Sequence, residues 1–210
     1  MKAMVLKEFN QPLSLEDVEK PCYGEYDVLV KVKAAGLCGT DLKIQQGKIP
    51  VKKLPLIQGH EVSGIIEETG SQVKNFKVGD QVLISFYIPC NECKLCKVGR
   101  KTICENLIGR LCFEQNGGFA EYIRVPESSL IRKPEKLSFF EAAIVSCSMG
   151  TVYHALLKRA KIKEGDYIAM IGAGGGLGLH AIQIAKSFNA KVIGIDVKEG
   201  KLKLMKIWCG

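Results

Sequence analysis

The chain has 210 residues, 47% of them hydrophobic and 25% charged, a balance that fits a folded chain and excludes a low-hydropathy disordered one. A net charge of +8 raises the question of nucleic acid, but the lysines are scattered with no run of five or more, so the basic surface reads as solvation with some attraction for an anionic cofactor. Lys2, Lys7 and Glu8 interrupt any apolar leader, no later stretch reaches the roughly 20 apolar residues of a membrane span, and the expectation is a cytoplasmic protein that binds neither nucleic acid nor membrane.

The first two-thirds consists of short alternating segments punctuated by glycine and proline. In residues 27–34 the valines Val28, Val30 and Val32 fall on every second position, which predicts a strand with one buried face. Further strands are predicted at 61–69, at 80–85 after the Val78-Gly79-Asp80 turn, and at 121–125 before Pro126. A β-rich domain over residues 1–148 follows from this texture.

From about Ser138 the pattern turns helical, with Phe139-Phe140-Glu141-Ala142-Ala143 opening a stretch toward His154-Ala155-Leu156-Leu157. Next come a strand at 167–171, a glycine loop at 172–178, a helix at 179–188 with Ala181, Ile184, Ala185 and Phe188 on one face, and a strand at 191–195. That order is one βαβ unit of a parallel α/β domain, assigned to residues 149–210, and alone it should leave both sheet faces largely uncovered. Leu202, Met205 and Trp208 set a last helical pattern.

Nine cysteines, an odd number, in a chain without a leader favour metal or thiol chemistry over a disulfide scaffold. Cys90, Cys93, Cys96 and Cys104 are spaced C-x2-C-x2-C-x7-C in a loop rich in lysine, glycine and asparagine. Four thiolates so close in sequence converge readily on a tetrahedral ion, and a closed all-cysteine set is what a structural zinc takes. An iron–sulfur cluster and a pair of loop disulfides are the alternatives. The ferredoxin run puts its fourth cysteine after three residues and before proline, whereas here seven residues intervene and Glu105 follows.

A second set is dispersed: Cys38 in Gly36-Leu37-Cys38-Gly39-Thr40-Asp41, His60 in Gly59-His60-Glu61, and Cys147 in Val145-Ser146-Cys147. Singly, each reads as a packed cysteine or a hydrogen-bonded histidine. The glycine loop, best aligned as Ala173-x-Gly175-x-x-Gly178 with Gly176 and Leu177 between, follows a strand and opens a helix, the context in which backbone N–H groups receive a pyrophosphate. Asp196 ends the next strand, about where an acidic side chain should take the ribose hydroxyls and repel a 2′-phosphate, so NAD is favoured over NADP.

Cys38-Gly39-Thr40-Asp41, Gly59-His60-Glu61, the four-cysteine loop, Gly117-Gly118-Phe119-Ala120-Glu121-Tyr122 and the glycine loop occur in an order that resembles the zinc-containing medium-chain alcohol dehydrogenases, over essentially the whole chain. The resemblance implies a GroES-like β-rich catalytic domain followed by an incomplete Rossmann cofactor domain, with two zinc ions per protomer. Cys38, His60 and Cys147 would be ligands of a catalytic zinc, with Glu61 the carboxylate that approaches it and Asp41 the carboxylate that orients the histidine. Thr40 would take the substrate proton first, and Lys43 stands where many relatives place a relaying histidine. Thr151 would touch the nicotinamide and Lys201 flank the adenosine ribose.

The activity implied is hydride transfer between a small alcohol or carbonyl compound and NAD. The resemblance also implies a chain cut off within its cofactor domain, and relatives that form homo-oligomers. Three competing expectations are a zinc-stabilised binding fragment without turnover, a polyol dehydrogenase, and a zinc-free quinone or enone reductase, the last favoured by the alanine at 173. Cys22, Cys112 and Cys209 receive no role.

Overall fold

The computed structural model describes residues 1–209, with side chains through Met205. The side chains of Trp208 and Cys209, and Gly210, lie outside the described residues. Two compact units emerge, Met1–Ile144 and Val145–Gly210.

In the first unit, β1 (Lys2–Leu6), β2 (Ser14–Asp17) and β4 (Leu56–Ile57) form an antiparallel sheet in the order β2-β1-β4. A larger antiparallel sheet runs β10-β6-β5-β3-β9, from β3 (Asp27–Gly36), β5 (Glu61–Thr69), β6 (Gln81–Ile84), β9 (Tyr122–Pro126) and β10 (Leu130–Arg132). The four strands expected from the sequence are all in this sheet, the one at 61–69 with the expected bounds and the other three displaced at their ends by a residue or two. The period-two pattern holds in part: Val28 and Val30 are buried and Val32 is half-buried, but Leu29 on the opposite face is buried as well. Val28 and Val30 of β3 meet Val62 and Ile66 of β5, Val82 and Ile84 of β6, and Ile123 and Val125 of β9 in one dry cluster. Each fully buried aliphatic side chain contributes about 2 kcal/mol.

Three small elements complete this unit around the sites. The helix α1 (Gly39–Gln45) follows β3 directly. A hairpin of β7 (Tyr87–Ile88) and β8 (Gly109–Arg110) closes the cysteine loop, which carries the one-turn helix α2 (Lys94–Lys97). The helix α3 (Phe139–Ile144) buries Ala142 and Ala143, and Ser63 donates its hydroxyl to the Phe139 carbonyl at 2.6 Å.

The second unit begins with a π-helical turn, Val145–Met149, then α4 (Gly150–Tyr153) and a second π-helical stretch, His154–Ala160, which Lys161 ends in the left-handed region at φ 55°. The strands β11 (Tyr167–Ile171) and β12 (Lys191–Ile195) pair in parallel, from Tyr167↔Lys191 to Ile171↔Ile195. Between them runs α5 (Gly176–Ser187), and α6 (Glu199–Cys209) follows β12. A core of Val152, Met170, Ala173, Ala181, Ile182, Ala185 and Met205 covers one face of the pair, contrary to the expectation of two bare faces. The other face stays open, with Ile171, Ile193 and Ile195 exposed.

Two further expectations are corrected. The helix α5 starts at Gly176, not Leu179, and buries Ile182 where Phe188 was expected. Among the described residues one helical stretch, Phe139–Ala160, is long and apolar enough to cross a membrane by length and composition. Glu141, Lys158 and Arg159 lie within it, and Ala142, Ala143 and Val152 are buried.

Candidate metal centres and cofactor loop

The four cysteines of the loop converge as their spacing predicts. Cys104 Sγ lies 3.4 Å from Cys90 Sγ and 3.9 Å from Cys93 Sγ, and Cys90 Sγ lies 4.0 Å from Cys96 Sγ. All four sulfurs are mutually within 4.8 Å. A tetrahedron with metal–sulfur bonds near 2.3 Å has edges of about 3.8 Å, so the residues fit a structural zinc. None of the four is in a disulfide. Backbone donors are already aimed at sulfur: the Cys93 N–H donates to Cys90 Sγ and the Cys90 N–H to Cys104 Sγ, each at 3.4 Å. Backbone N–H groups of Cys96 and Glu105 pull the Cys93 thiol down to about 6, whereas burial pushes Cys96 up to about 12.

The second centre is built by strand register. β3 and β5 pair antiparallel, and the last pair is Gly36↔Glu61. Cys38 lies two residues beyond one strand and His60 one residue before the other, so both arrive at the same end of the sheet. Ligand atoms of Cys38, His60 and Glu61 lie within 4.8 Å of one another. His60 is 2% exposed and Glu61 3%, a burial that a carboxylate tolerates only with compensating partners or a metal. A β-carbon at Gly36 would collide with the Glu61 carboxylate, which is why the strand ends in glycine.

The segment Gly117-Gly118-Phe119 fixes the approach to His60. Its N–H groups donate to the carbonyls of Ile57, Gly59 and Gln58 at 2.7, 2.8 and 2.9 Å. Gly59 sits at φ 95° with the Phe119 ring where a β-carbon would be, so no other residue serves there.

Asp41 is buried in α1 and its Oδ2 accepts the Cys38 N–H at 2.9 Å, tying the end of β3 to the helix. Its Oδ1 lies 3.3 Å from His60 Nδ1 but takes no hydrogen bond, so the orienting contact expected of it is close without being aligned. The sequence reading missed Cys112, whose Sγ lies 3.4 Å from the same Nδ1. Phe86 and Phe113 wall the imidazole, with ring centroids 5.3 and 6.4 Å away. Thr40 is half-buried in the first turn of α1, and Lys43 is exposed in its last turn. Cys147 stands half-buried on the π-helical turn that opens the second unit.

In the second unit the glycine loop links β11 to α5. Gly172 takes φ 73°, and a β-carbon at Gly178 would strike the Ala173 backbone, so this glycine lets the helix close against the strand. Ala173 is fully buried, and Gly175 is the N-cap of α5, which places Gly176, Leu177 and Gly178 in the first helical turn. Asp196 faces the loop: its Oδ2 accepts the Gly174 N–H at 3.0 Å and its Oδ1 the Lys198 N–H at 3.2 Å, with Lys201 Nζ at 3.9 Å. Burial raises its pKa, but the N–H donors of Lys198 and Gly174 and the Lys201 charge outweigh that and hold the carboxyl below its usual range. Thr151 lies exposed on α4.

Residues 24–135 match the model of the alcohol dehydrogenase GroES-like domain. An alcohol dehydrogenase of Geobacillus stearothermophilus is 43% identical over 208 residues, 98% of this chain and 61% of that protein. Acryloyl-coenzyme A reductase of Sulfurisphaera tokodaii is 39% identical over 206 residues, 98% of this chain and 61% of that protein. A cobalt- and zinc-bound thermostable alcohol dehydrogenase from Pyrobaculum aerophilum superposes with a TM-score of 0.91 at 30% identity, covering 99% of this chain and 62% of that one. The chain spans about three fifths of the length of the curated relatives it matches. A β-rich GroES-like fold followed by Rossmann-type parallel α/β structure is thereby shown, and the chain belongs to the alcohol dehydrogenase GroES-like domain family.

Proposed function

We propose that this chain carries the zinc-binding machinery and the dinucleotide loop of a zinc-dependent alcohol dehydrogenase that uses NAD. The observation that carries the reading is the Gly36↔Glu61 register, which ends two neighbouring strands with a thiol, an imidazole and a carboxylate within ligand distance of one another. Cys38, His60 and Cys147 hold the catalytic zinc, with Glu61 as the nearby carboxylate, and Cys90, Cys93, Cys96 and Cys104 hold a structural one. When bound, zinc supplies a Lewis acid for the substrate oxygen and NAD supplies the hydride acceptor.

The rest falls to the chain's own groups. The Thr40 hydroxyl receives the proton leaving the substrate oxygen, and Lys43 stands exposed in the last turn of the same helix, where many relatives place a relaying histidine. In the loop of Ala173, Gly175, Gly176, Leu177 and Gly178, the first-turn N–H groups of α5 receive the pyrophosphate, while those of Ala173 and Gly175 are given to the Ile195 and Gly172 carbonyls and shape the turn. Asp196 accepts the adenosine ribose hydroxyls with Lys201 beside them, and its negative charge disfavours a 2′-phosphate. Thr151 contacts the nicotinamide. Eight cysteines among the described residues, none of them in a disulfide, suit a reducing compartment, and we assign the protein to the cytoplasm.

A second reading has specific support in the 39% identity to an acryloyl-coenzyme A reductase: reduction of an activated alkene. The two are separated by zinc analysis and turnover on the purified, reduced chain. The alcohol dehydrogenase reading expects two zinc ions per chain, one lost in Cys38→Ser and the other in Cys104→Ser, with oxidation of ethanol or larger alcohols when the cofactor site is complete. A single zinc unaffected by Cys38→Ser, with reduction of an acryloyl thioester, would replace it.

A further inference from the structure

We propose that Cys112 is a positioning residue for His60, the group that holds the Nδ1 side of the imidazole so that the other ring nitrogen faces the metal. The assignment rests on the reading that His60 is a zinc ligand. A histidine that binds metal through Nε2 carries its proton on Nδ1 and needs an acceptor there. Two candidates flank that atom. Asp41 Oδ1 is 3.3 Å away but unaligned and without any hydrogen bond, while Asp41 Oδ2 is committed to the Cys38 N–H. Cys112 Sγ is 3.4 Å away in hydrogen-bonding geometry, and Cys112 is fully buried.

Ligand atoms of Asp41, His60 and Cys112 all lie within 4.8 Å of one another. Of the two neighbours, the sulfur is the one placed to accept from Nδ1–H, while Asp41 Oδ1 beside it has no hydrogen-bond partner.

The backbone supports the assignment independently. Cys112 occupies the left-handed region at φ 60°, where glycine or asparagine is the easy choice and a cysteine is strained. The loop holds it there: the Cys112 N–H donates to the Gln115 carbonyl at 2.8 Å, and Arg110 grips Glu114 through Nε at 3.1 Å and a second guanidinium nitrogen at 2.6 Å. A strained residue over-determined by its surroundings points to a side chain kept for what it touches.

The test uses the full chain with zinc in the four-cysteine site and cobalt(II) in the other. Cys112→Gly removes the thiol while relieving the backbone, so a purely structural role predicts at most a change in apo Tm, from the cavity and the relieved strain together, with an unchanged cobalt spectrum. The positioning role predicts shifted cobalt d–d bands and about 10-fold weaker cobalt retention against a chelator in Cys112→Gly and Cys112→Ala. Cys112→Ser, whose hydroxyl can donate and accept, should recover most of both. A Cys112→Gly protein with wild-type bands and wild-type retention overturns the proposal. If wild type binds no second ion and Cys38→Ser changes nothing, the zinc reading of His60 fails, and the Cys112 assignment fails with it.

Discussion

The two candidate metal centres of the first unit are made in opposite ways. The four-cysteine loop draws all its ligands from fifteen consecutive residues, 90–104, between two strands of two residues each. Around it Val98, Ile103 and Ile108 are exposed, so little apolar burial supports its shape. The His60 centre draws its ligands from distant stretches and is fixed by the dry ladder of β3 and β5. On the proposed reading a metal would organise the first centre, whereas the fold itself places the groups of the second.

The largest effect that would sharpen this contrast is removal of the structural ion. Zinc binding to small cysteine sites is worth on the order of 10 kcal/mol, so Cys104→Ser should lose one zinc by elemental analysis and leave residues 89–108 open to limited proteolysis, with the β3–β5 ladder intact by hydrogen exchange. A collapse of the ladder as well would show that the loop is no separate device. Next in size is Gly59→Ala, which meets the Phe119 ring and requires φ 95°. It should cost about 2–4 kcal/mol in chemical denaturation and release the metal at His60 while the cysteine loop keeps its own.

Asp196→Ala tests whether the second unit is organised by its fold in the same sense. Removing the acceptor of the Gly174 and Lys198 N–H groups should weaken NADH binding about 10-fold, or ~1.4 kcal/mol, measured by fluorescence titration, and leave both zinc ions in place. The smallest effect concerns acid. Arg110, by its hydrogen bonds first, holds the Glu114 carboxyl below its ordinary value of 4.5. A depressed carboxylate adds stability that is full above the unfolded pKa and is lost as pH falls through the folded one. Both side chains are about a third exposed, so solvent screening limits the pair to less than about 1 kcal/mol. Glu114→Gln should lower stability slightly at pH 7 and flatten its decline below pH 4.5.

What was legible in the sequence follows the same division. The four-cysteine site could be read directly because its information is local: thiols at short intervals have few places to go. The strands at 27–34 and 61–69 were legible from alternation, but the pairing that joins Cys38 to His60 was not, since register is a property of two strands together. Resemblance to a family filled that gap. Nothing in the spacing of Cys112 pointed to His60, 52 residues away; its left-handed backbone is visible only in the folded chain. The two-residue strands β4, β7 and β8 escaped for a different reason, being too short to show any period. The start of α5 was placed three residues late because its first turn is glycine-rich, and glycine reads as loop until tight packing against Ala173 explains it.

The end of the β3–β5 ladder has one more consequence. Side chains alternate faces along a strand, so slipping this pair by a single residue would turn Val62 and Ile66 toward the wrong layer and expose the apolar set that keeps the sheet together. The same slip would carry Glu61 and His60 away from Cys38. Oil-like side chains that never approach the ion thus act as its gauge, and the spacing of the metal donors is inherited from the demand for a dry interior without separate specification.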